Sequence, residues 1–148
     1  MLLKPKNTKY KKAFKGRMIT SHKKQSFCFG EYALVSMETS NFTAGQIFAA
    51  KLAIQRKIKK DGRIFTRVFP HLPVTKKPSE VRMGKGKGVV DHYIARVSPG
   101  SFIFELKSSN KYLANIALSA SSAKLPFKTF VCYRTSDVAS AVAPTLGS

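Results

Sequence analysis

Residues 89–106, VVDHYIARVSPGSFIFEL, decide the fold class because they predict two strands joined by a tight turn. Val89–Val97 and Phe102–Leu106 are rich in the β-branched and aromatic residues that favour strands. The Ser-Pro-Gly sequence at 98–100 favours a turn, because proline fixes one backbone angle and glycine permits a positive φ. We therefore expect an antiparallel hairpin here, within a mostly antiparallel sheet.

A long basic connection, residues 70–88, precedes this hairpin. Pro70, Pro73 and Pro78 predict that this connection has no regular structure. It ends in the sequence VRMGKGKG, whose glycines allow a close backbone approach to a partner and whose arginine and lysines supply positive charge. The sequence therefore predicts a loop that contacts phosphate groups. The residues of this predicted site are Arg82, Met83, Gly84, Lys85, Gly86, Lys87 and Gly88.

Two other interpretations of this loop are less favoured. A dinucleotide-binding loop needs a glycine where Val89 or Asp91 stands, and a P-loop needs Ser or Thr after a Gly-Lys pair, which is absent. A solvated basic loop without a partner is the remaining alternative. Predicted strands on both sides of the loop argue against a loop that is merely flexible.

Two helices are predicted outside this region. Thr43 and Gln46 form a capping-box pattern at the start of the first helix, which we expect to end at Asp61-Gly62. Ser109 or Asn110 can cap the second helix, which Pro126 ends. The predicted buried residues are Ile47, Ala50, Ile54 and Ile58 in the first helix, and Leu113, Ile116, Ala117 and Ala120 in the second.

Further strands are predicted within Ser26–Met37, Arg63–Phe69 and Phe127–Arg134. With the two helices they predict an α+β fold, a two-layer sandwich of a mostly antiparallel sheet and two helices. The predicted organisation is a basic arm over residues 1–25, a globular domain over 26–134 that carries the loop 70–88, and a disordered tail over 135–148.

The net charge points to a polyanionic partner. The 148 residues carry 27 Lys and Arg against 7 Asp and Glu, a formal charge of +20. Binding to a nucleic acid would neutralise this charge and release counterions. Two groups of cations are candidate rRNA-binding residues. The arm contributes Lys4, Lys6, Lys9, Lys11, Lys12, Lys15 and Arg17, and the first helix with the turn after it contributes Lys51, Arg56, Lys59 and Lys60.

Several features of the arm support contact with RNA. Its proline and glycine argue against a stable helix, so we expect an extended segment that folds on its partner. Tyr10 and Phe14 lie among the lysines, where an aromatic ring can stack on an exposed base. A mitochondrial transit peptide is the alternative, but such a peptide is an amphipathic, arginine-rich helix.

Other classes of protein fit the sequence less well. No apolar run is long enough to span a bilayer, and neither a secretory signal nor a lipidation motif is present. Cys28 and Cys132 are interpreted as small buried residues, with a disulfide as a minor alternative.

An RNA-modifying enzyme and a free RNA chaperone remain as alternative functions. For the enzyme, the candidate acids Asp61, Glu80, Asp91 and Glu105 are scattered, and His92 should point away from Asp91 in a strand. His22, His71 and His92 share no metal-ligand spacing with the cysteines, so neither a metal nor a cofactor is expected.

Five stretches resemble one known family: KPKNTKYKKAFKGR, FGEYAL, TAGQIFAAKLAI, RIFTRVFPHLPVTKKPSEVRMGKGKG and AKLPFKT. They resemble the bacterial-type large-subunit ribosomal protein sixteen, whose archaeal and eukaryotic counterpart is numbered ten. The resemblance extends from Leu3 to about Val131. It implies a non-enzymatic constituent of the large subunit that binds large-subunit rRNA as a monomer beside neighbouring ribosomal proteins. It further implies that the loop from Arg82 to Gly88 is directed towards the aminoacyl-site tRNA and the peptidyl transferase centre.

The chain departs from that family's usual pattern at several positions. Phe65 and Tyr93 stand where the family commonly has Trp, and Gly45 and Phe48 stand where it has Arg and Glu. The exposed apolar group expected at Phe48 predicts a protein neighbour or a changed rRNA contact. These departures and the enrichment in Lys, Phe and Ser lead us to expect an organelle-encoded protein of the mitochondrial ribosome. The expectation that there is no room for a presequence supports the same interpretation. A plastid or the bacterial cytoplasm is the alternative location.

Overall fold

A computed structural model describes residues 3–14, 16–18, 20–22 and 25–134. The predicted tail over 135–148 and the candidate Lys15 lie outside these residues. The strands are β1 (Tyr32–Ser36), β2 (Ser40–Thr43), β3 (Gly62–Thr66), β4 (Leu72–Lys76), β5 (Val89–Val97), β6 (Phe102–Ser108) and β7 (Thr129–Tyr133), and the helices are α1 (Ala44–Ile58) and α2 (Lys111–Ser122). Every strand pairing is antiparallel, which confirms the α+β class.

The strands form two sheets. One has four strands in the order β3-β6-β1-β7, and the other has three in the order β2-β5-β4. The predicted hairpin between β5 and β6 is therefore wrong, because these two strands belong to different sheets.

The turn between β5 and β6 explains this error. The Ser101 N–H donates to the Ser98 oxygen (3.1 Å), and Gly100 has a φ of 80°. Proline and glycine at the two central positions are typical of a type II turn, whose twist does not match that of a tight two-stranded hairpin. The Gly100 N–H instead donates to the carbonyl of Ser36 at the end of β1 (2.8 Å). The turn thus carries the chain from one sheet to the other.

The strand β4 corrects a second expectation, that residues 70–88 contain no regular structure. Pro73 lies inside this strand and has the Cα of Tyr93 as its partner in β5. β4 is the edge strand of its sheet, and proline is tolerated there because an edge strand needs only half of its N–H groups for pairing. Within this segment, irregular structure is confined to residues 70–71, which precede β4, and to residues 77–88, which connect β4 to β5.

The start of α1 agrees with the sequence. The Thr43 backbone N–H donates to the Gln46 side chain (2.9 Å) and the Gln46 N–H donates to Thr43 Oγ1 (3.4 Å), which completes the capping box. The four predicted core residues of α1 are all buried. The helix ends at Ile58, three residues before the expected turn at Asp61, and Lys59 follows it with a positive φ of 54°.

The second helix is capped by Asn110, whose side chain accepts the Leu113 N–H (3.2 Å). Its buried face differs from the predicted one. Ala117 is buried as expected, but Ile116 is 37% exposed. The other buried residues of α2 are Ala114, Leu118 and Ser121. Small side chains on this face let α2 pack closely against α1, which periodicity alone does not reveal.

α2 packs on the four-stranded sheet, and α1 contacts β3 of that sheet as well as β2 and β5 of the three-stranded sheet. In the main core, Leu34, Phe104 and Leu106 of the four-stranded sheet cluster with Ile47 and Ile54 of α1. This core also includes Phe42, Ala95 and Val97 of the three-stranded sheet. A smaller cluster of Ala33, Val35 and Phe102 forms the second buried group. Within the described part of the chain, neither helix has the length and apolar character needed to cross a membrane.

Candidate nucleic-acid interface

The glycine- and lysine-rich loop is the tip of the β4–β5 hairpin. The Cα of Lys76 pairs with that of Val89, so both ends of the loop are fixed by the sheet. Arg82, Lys85 and Lys87 are all exposed, and Met83 is 99% exposed. The hairpin thus projects three cations and a thioether into solvent from a rigid base.

The backbone of this tip needs glycine for conformational reasons. Gly84 and Gly86 have φ values of 96° and 81°, and Lys85 between them has a φ of 51°. A Cβ at either glycine would meet nothing within 4 Å, so lack of space inside the protein does not explain why these two positions are glycine. Gly88 differs, because its Cβ would lie 2.7 Å from the Lys76 oxygen where the hairpin closes. Lys77 Nζ donates to the Gly84 oxygen and supports the turn from within.

The structure brings the arm and the loop together. Lys12 Nζ donates to the Lys87 oxygen (2.8 Å), and Lys87 Nζ donates to the Ala13 oxygen (2.5 Å). The Lys87 ammonium also lies 5.9 Å from the centroid of the Phe14 ring. Two cationic segments about 75 positions apart in sequence thus form one surface, which we call the arm–loop surface (residues 12–14 and 82–88).

The described residues of the arm contain neither helix nor strand, but they contact the domain at both ends. Leu3 packs against the main core, and the side chain of Gln25 accepts the Phe102 N–H (2.7 Å). Between these contacts the predicted cations are solvent-exposed. They are Lys4, Lys6, Lys9, Lys11, Lys12 and Arg17.

The cations predicted on and after α1 form a second group. Lys51, Arg56, Lys59 and Lys60 are exposed, as a surface for phosphate requires. Lys51 and Lys59 line one open depression, and Lys60 lines a neighbouring one. The sequence reasoning missed two members of this group, Arg63 of β3 and Lys107 of β6, which line the same depressions. Lys107 is the one exposed residue of an otherwise buried strand, but the sequence alone did not single it out, because Glu105 is also charged and is buried.

The candidate acid Glu105 is a structural residue. It is fully buried, and its carboxylate accepts the N–H groups of Cys28 (3.2 Å), Phe29 (2.7 Å) and Gly30 (2.9 Å). It also forms an ion pair with Arg67. These contacts hold residues 28–30 as a loop, which is why β1 begins at Tyr32 rather than at the predicted Ser26. A carboxylate with all these partners is not free to act as an acid or base.

The remaining candidates form no reaction centre. Contrary to expectation, His92 Nδ1 lies 2.9 Å from the Asp91 carboxylate, because a β-bulge opposite Val74 and Thr75 lets neighbouring side chains share one side. Both side chains are about half exposed, and none of the described His, Cys, Asp and Glu residues are grouped as a metal site.

Cys28 is exposed rather than buried, Cys132 is half-buried, and both are free thiols. Burial raises the pKa of the Cys132 thiol because it disfavours the thiolate.

An α+β domain with exposed lysines and arginines on an arm, a hairpin tip and a helix has the architecture of a nucleic-acid-binding protein. Comparison with known proteins identifies the family. The family model described as ribosomal protein L16p/L10e matches residues 5–132. The chain therefore belongs to the ribosomal protein L16p/L10e family, as the resemblance in its sequence predicts. This is a family of ribosomal proteins, not of enzymes.

Individual relatives agree with the family match. The large ribosomal subunit protein uL16 of Borrelia garinii subsp. bavariensis is 50% identical over 134 residues, which cover 90% of this chain and 97% of the relative. The uL16 proteins of Psychrobacter cryohalolentis and Acinetobacter baumannii strain SDF are 46% and 45% identical over 135 residues, which cover 90% of this chain and 98% of each relative.

Proposed function

We propose that this chain is a structural constituent of the large ribosomal subunit that binds large-subunit rRNA through its arm–loop surface and the cations of α1. The family supports the ribosomal role. The observation that carries the assignment of the site is the pair of hydrogen bonds between Lys12 and Lys87 and between Lys87 and Ala13. They join two cationic segments into a surface with few acidic residues, which suits an RNA backbone.

The loop tip is the part we assign to the aminoacyl-tRNA site near the peptidyl transferase centre. The resemblance to the family implies this location, and the shape of the hairpin supports it. Gly84 and Gly86 leave open space around the backbone, so a tRNA or an rRNA strand can approach closely. The strands β4 and β5 hold the tip in place.

A salt titration of binding to a large-subunit rRNA fragment tests the rRNA assignment. Replacing Arg82, Lys85 and Lys87 by Gln should reduce the slope of log affinity against log salt by about 2 to 3, since each lost phosphate contact removes roughly 0.7–0.9. The control replaces Lys124, Lys128 and Arg134 by Gln, which removes the same charge from exposed positions outside the arm–loop surface. Equal slopes for the two variants would contradict the proposed site.

Two further measurements address the tRNA site and the alternative of a free chaperone. Large subunits that carry the loop variant should bind aminoacyl-site tRNA more weakly than subunits that carry the control, and equal binding would argue against the tRNA assignment. The protein should also sediment with large subunits at moderate salt. A free RNA chaperone would dissociate under these conditions.

We also propose the mitochondrial ribosome as the location. The departures at Phe65, Tyr93, Gly45 and Phe48 support divergence from the usual sequence, and Phe65 keeps an aromatic role by stacking on Phe29 at a centroid distance of 5.1 Å. The relatives named above are bacterial, which fits a bacterial-type ribosome. Mass spectrometry of large subunits from purified mitochondria and from the remaining cell fraction tests the location. Detection in the remaining fraction alone would contradict it.

A further inference from the structure

The side chain of Phe14 has no role in the core. The residue is 95% exposed, although it belongs to an arm that contacts the domain on both sides. Its neighbour Lys87 approaches the ring with its ammonium group, 5.9 Å from the centroid. Because nearly all of the residue is exposed, the ring surface turned away from this ammonium is open to solvent.

Two hydrogen bonds hold the segment next to this ring against the loop. Ala13, which precedes it, accepts a hydrogen bond from Lys87 Nζ, and Lys12 Nζ donates to the Lys87 carbonyl. Each ammonium group has three N–H donors and uses one of them in these bonds, so donors remain for a ligand. An exposed aromatic ring therefore stands beside the Lys87 ammonium, and the Lys12 ammonium lies against the backbone of the same lysine; both ammonium groups keep donors that these two bonds do not use.

We propose that Phe14, Lys12 and Lys87 form a binding site for an unpaired nucleotide, in which the base stacks on the open face of Phe14 and the lysines pair with its phosphate. This inference rests on the proposed function and specifies the kind of RNA that the arm–loop surface binds. A base inside a duplex offers only its edges, whereas an unpaired base offers a whole π-face for stacking. The site should thus prefer single strands and tolerate different bases.

The absence of tryptophan from the sequence allows a direct test. Phe14→Trp introduces a single fluorescent reporter at the proposed stacking position. A short single-stranded RNA should quench its emission, and the same strand annealed to its complement should quench it much less at equal phosphate concentration. The matched control is Tyr112→Trp, because Tyr112 is a 76% exposed aromatic on α2. Equal quenching by the two RNAs, or equal quenching at the two positions, would overturn the proposal.

Affinity measurements separate stacking from charge. Phe14→Ala should weaken binding of the short single strand about fivefold, which is ~1 kcal/mol at the low end of the range for base–aromatic stacking. It should leave binding of an abasic oligonucleotide of the same length unchanged, while Phe14→Tyr should restore the affinity for the single strand. Lys87→Gln should weaken binding of both ligands. If Phe14→Ala weakens both ligands equally, Phe14 acts only by positioning the lysines and the stacking site is refuted.

These outcomes differ from a failure of the proposed function. If the stacking site is wrong but the function is right, the rRNA fragment still binds with the predicted salt dependence while the emission of Phe14→Trp does not change. If the rRNA fragment does not bind at all, the proposed function itself fails.

Discussion

Replacing Glu105 by Gln should destabilise the protein strongly. The Glu105 side chain is fully buried in β6, where its carboxylate accepts three backbone N–H groups from residues 28–30 and pairs with Arg67. Glutamine keeps the size of the side chain. It removes the negative charge, however, and places an amide NH₂ among groups that are themselves donors.

The size of the effect follows from these contacts. Removing one partner of a buried ion pair costs about 3–5 kcal/mol, because the remaining charge is left without compensation. The Arg67 side chain is 20% exposed, so water can solvate part of its charge. The low end of this range of destabilisation therefore applies. We expect Glu105→Gln to lower the free energy of unfolding by about 3 kcal/mol. Arg67→Met should cost less, about 1 to 2 kcal/mol, since the carboxylate keeps its three N–H donors.

Urea denaturation followed by circular dichroism measures both changes. The control is Glu38→Gln, the same substitution at an exposed position, which should alter stability by less than about 0.5 kcal/mol. The reasoning is refuted if Glu105→Gln is as stable as the control, or if Arg67→Met is the more damaging of the two core variants. The first result would mean that the N–H groups of residues 28–30 do not depend on this carboxylate, and the second would mean that these N–H groups do not compensate the carboxylate once Arg67 is removed.

The remaining predictions concern two cysteines and two glycines. At neutral pH an alkylating reagent should modify exposed Cys28 before Cys132, because burial raises the pKa of the Cys132 thiol and so lowers its thiolate fraction. Mass spectrometry should show this difference shrinking as the pH rises, and equal rates throughout would contradict it. Gly45→Ala should stabilise the protein by about 0.5 kcal/mol, since a Cβ there meets only Thr43 Oγ1 at 3.9 Å and alanine favours the helix. Gly62→Ala should destabilise it, because the Cβ would lie 2.6 Å from the Lys107 oxygen, and thermal melting of the two variants should show opposite shifts.

Local sequence was sufficient where local interactions determine the structure. The capping box of α1 involves Thr43 and Gln46, three residues apart, and the buried stripe of this helix follows from its own periodicity. The exposed loop tip was also predictable, because its glycines and lysines have no use in a core.

Features that depend on distant residues were predicted less well. A turn sequence at 98–100 indicated a reversal of the chain but not that the reversal joins two sheets. Pro73 suggested an irregular segment, because its position at a sheet edge depends on β5. The hydrophobic pattern of α2 favoured a buried Ile116, whereas the packing of α1 selected the smaller residues.

The candidate site shows the same division. Its cations were identified one by one from their charge and from the scarcity of acidic residues. The contact between Lys12 and Lys87 was not predictable, because no local pattern relates two segments so far apart in sequence. The fold creates the arm–loop surface by holding the two segments side by side.

Lysine acetylation of the free protein and of the assembled large subunit, read by mass spectrometry, tests this surface most directly. The account predicts that Lys12, Lys85 and Lys87 react in the free protein and are strongly protected in the subunit, where rRNA covers the arm–loop surface. If these three lysines react equally fast in both states, the arm and the loop do not contact RNA and the central claim is contradicted.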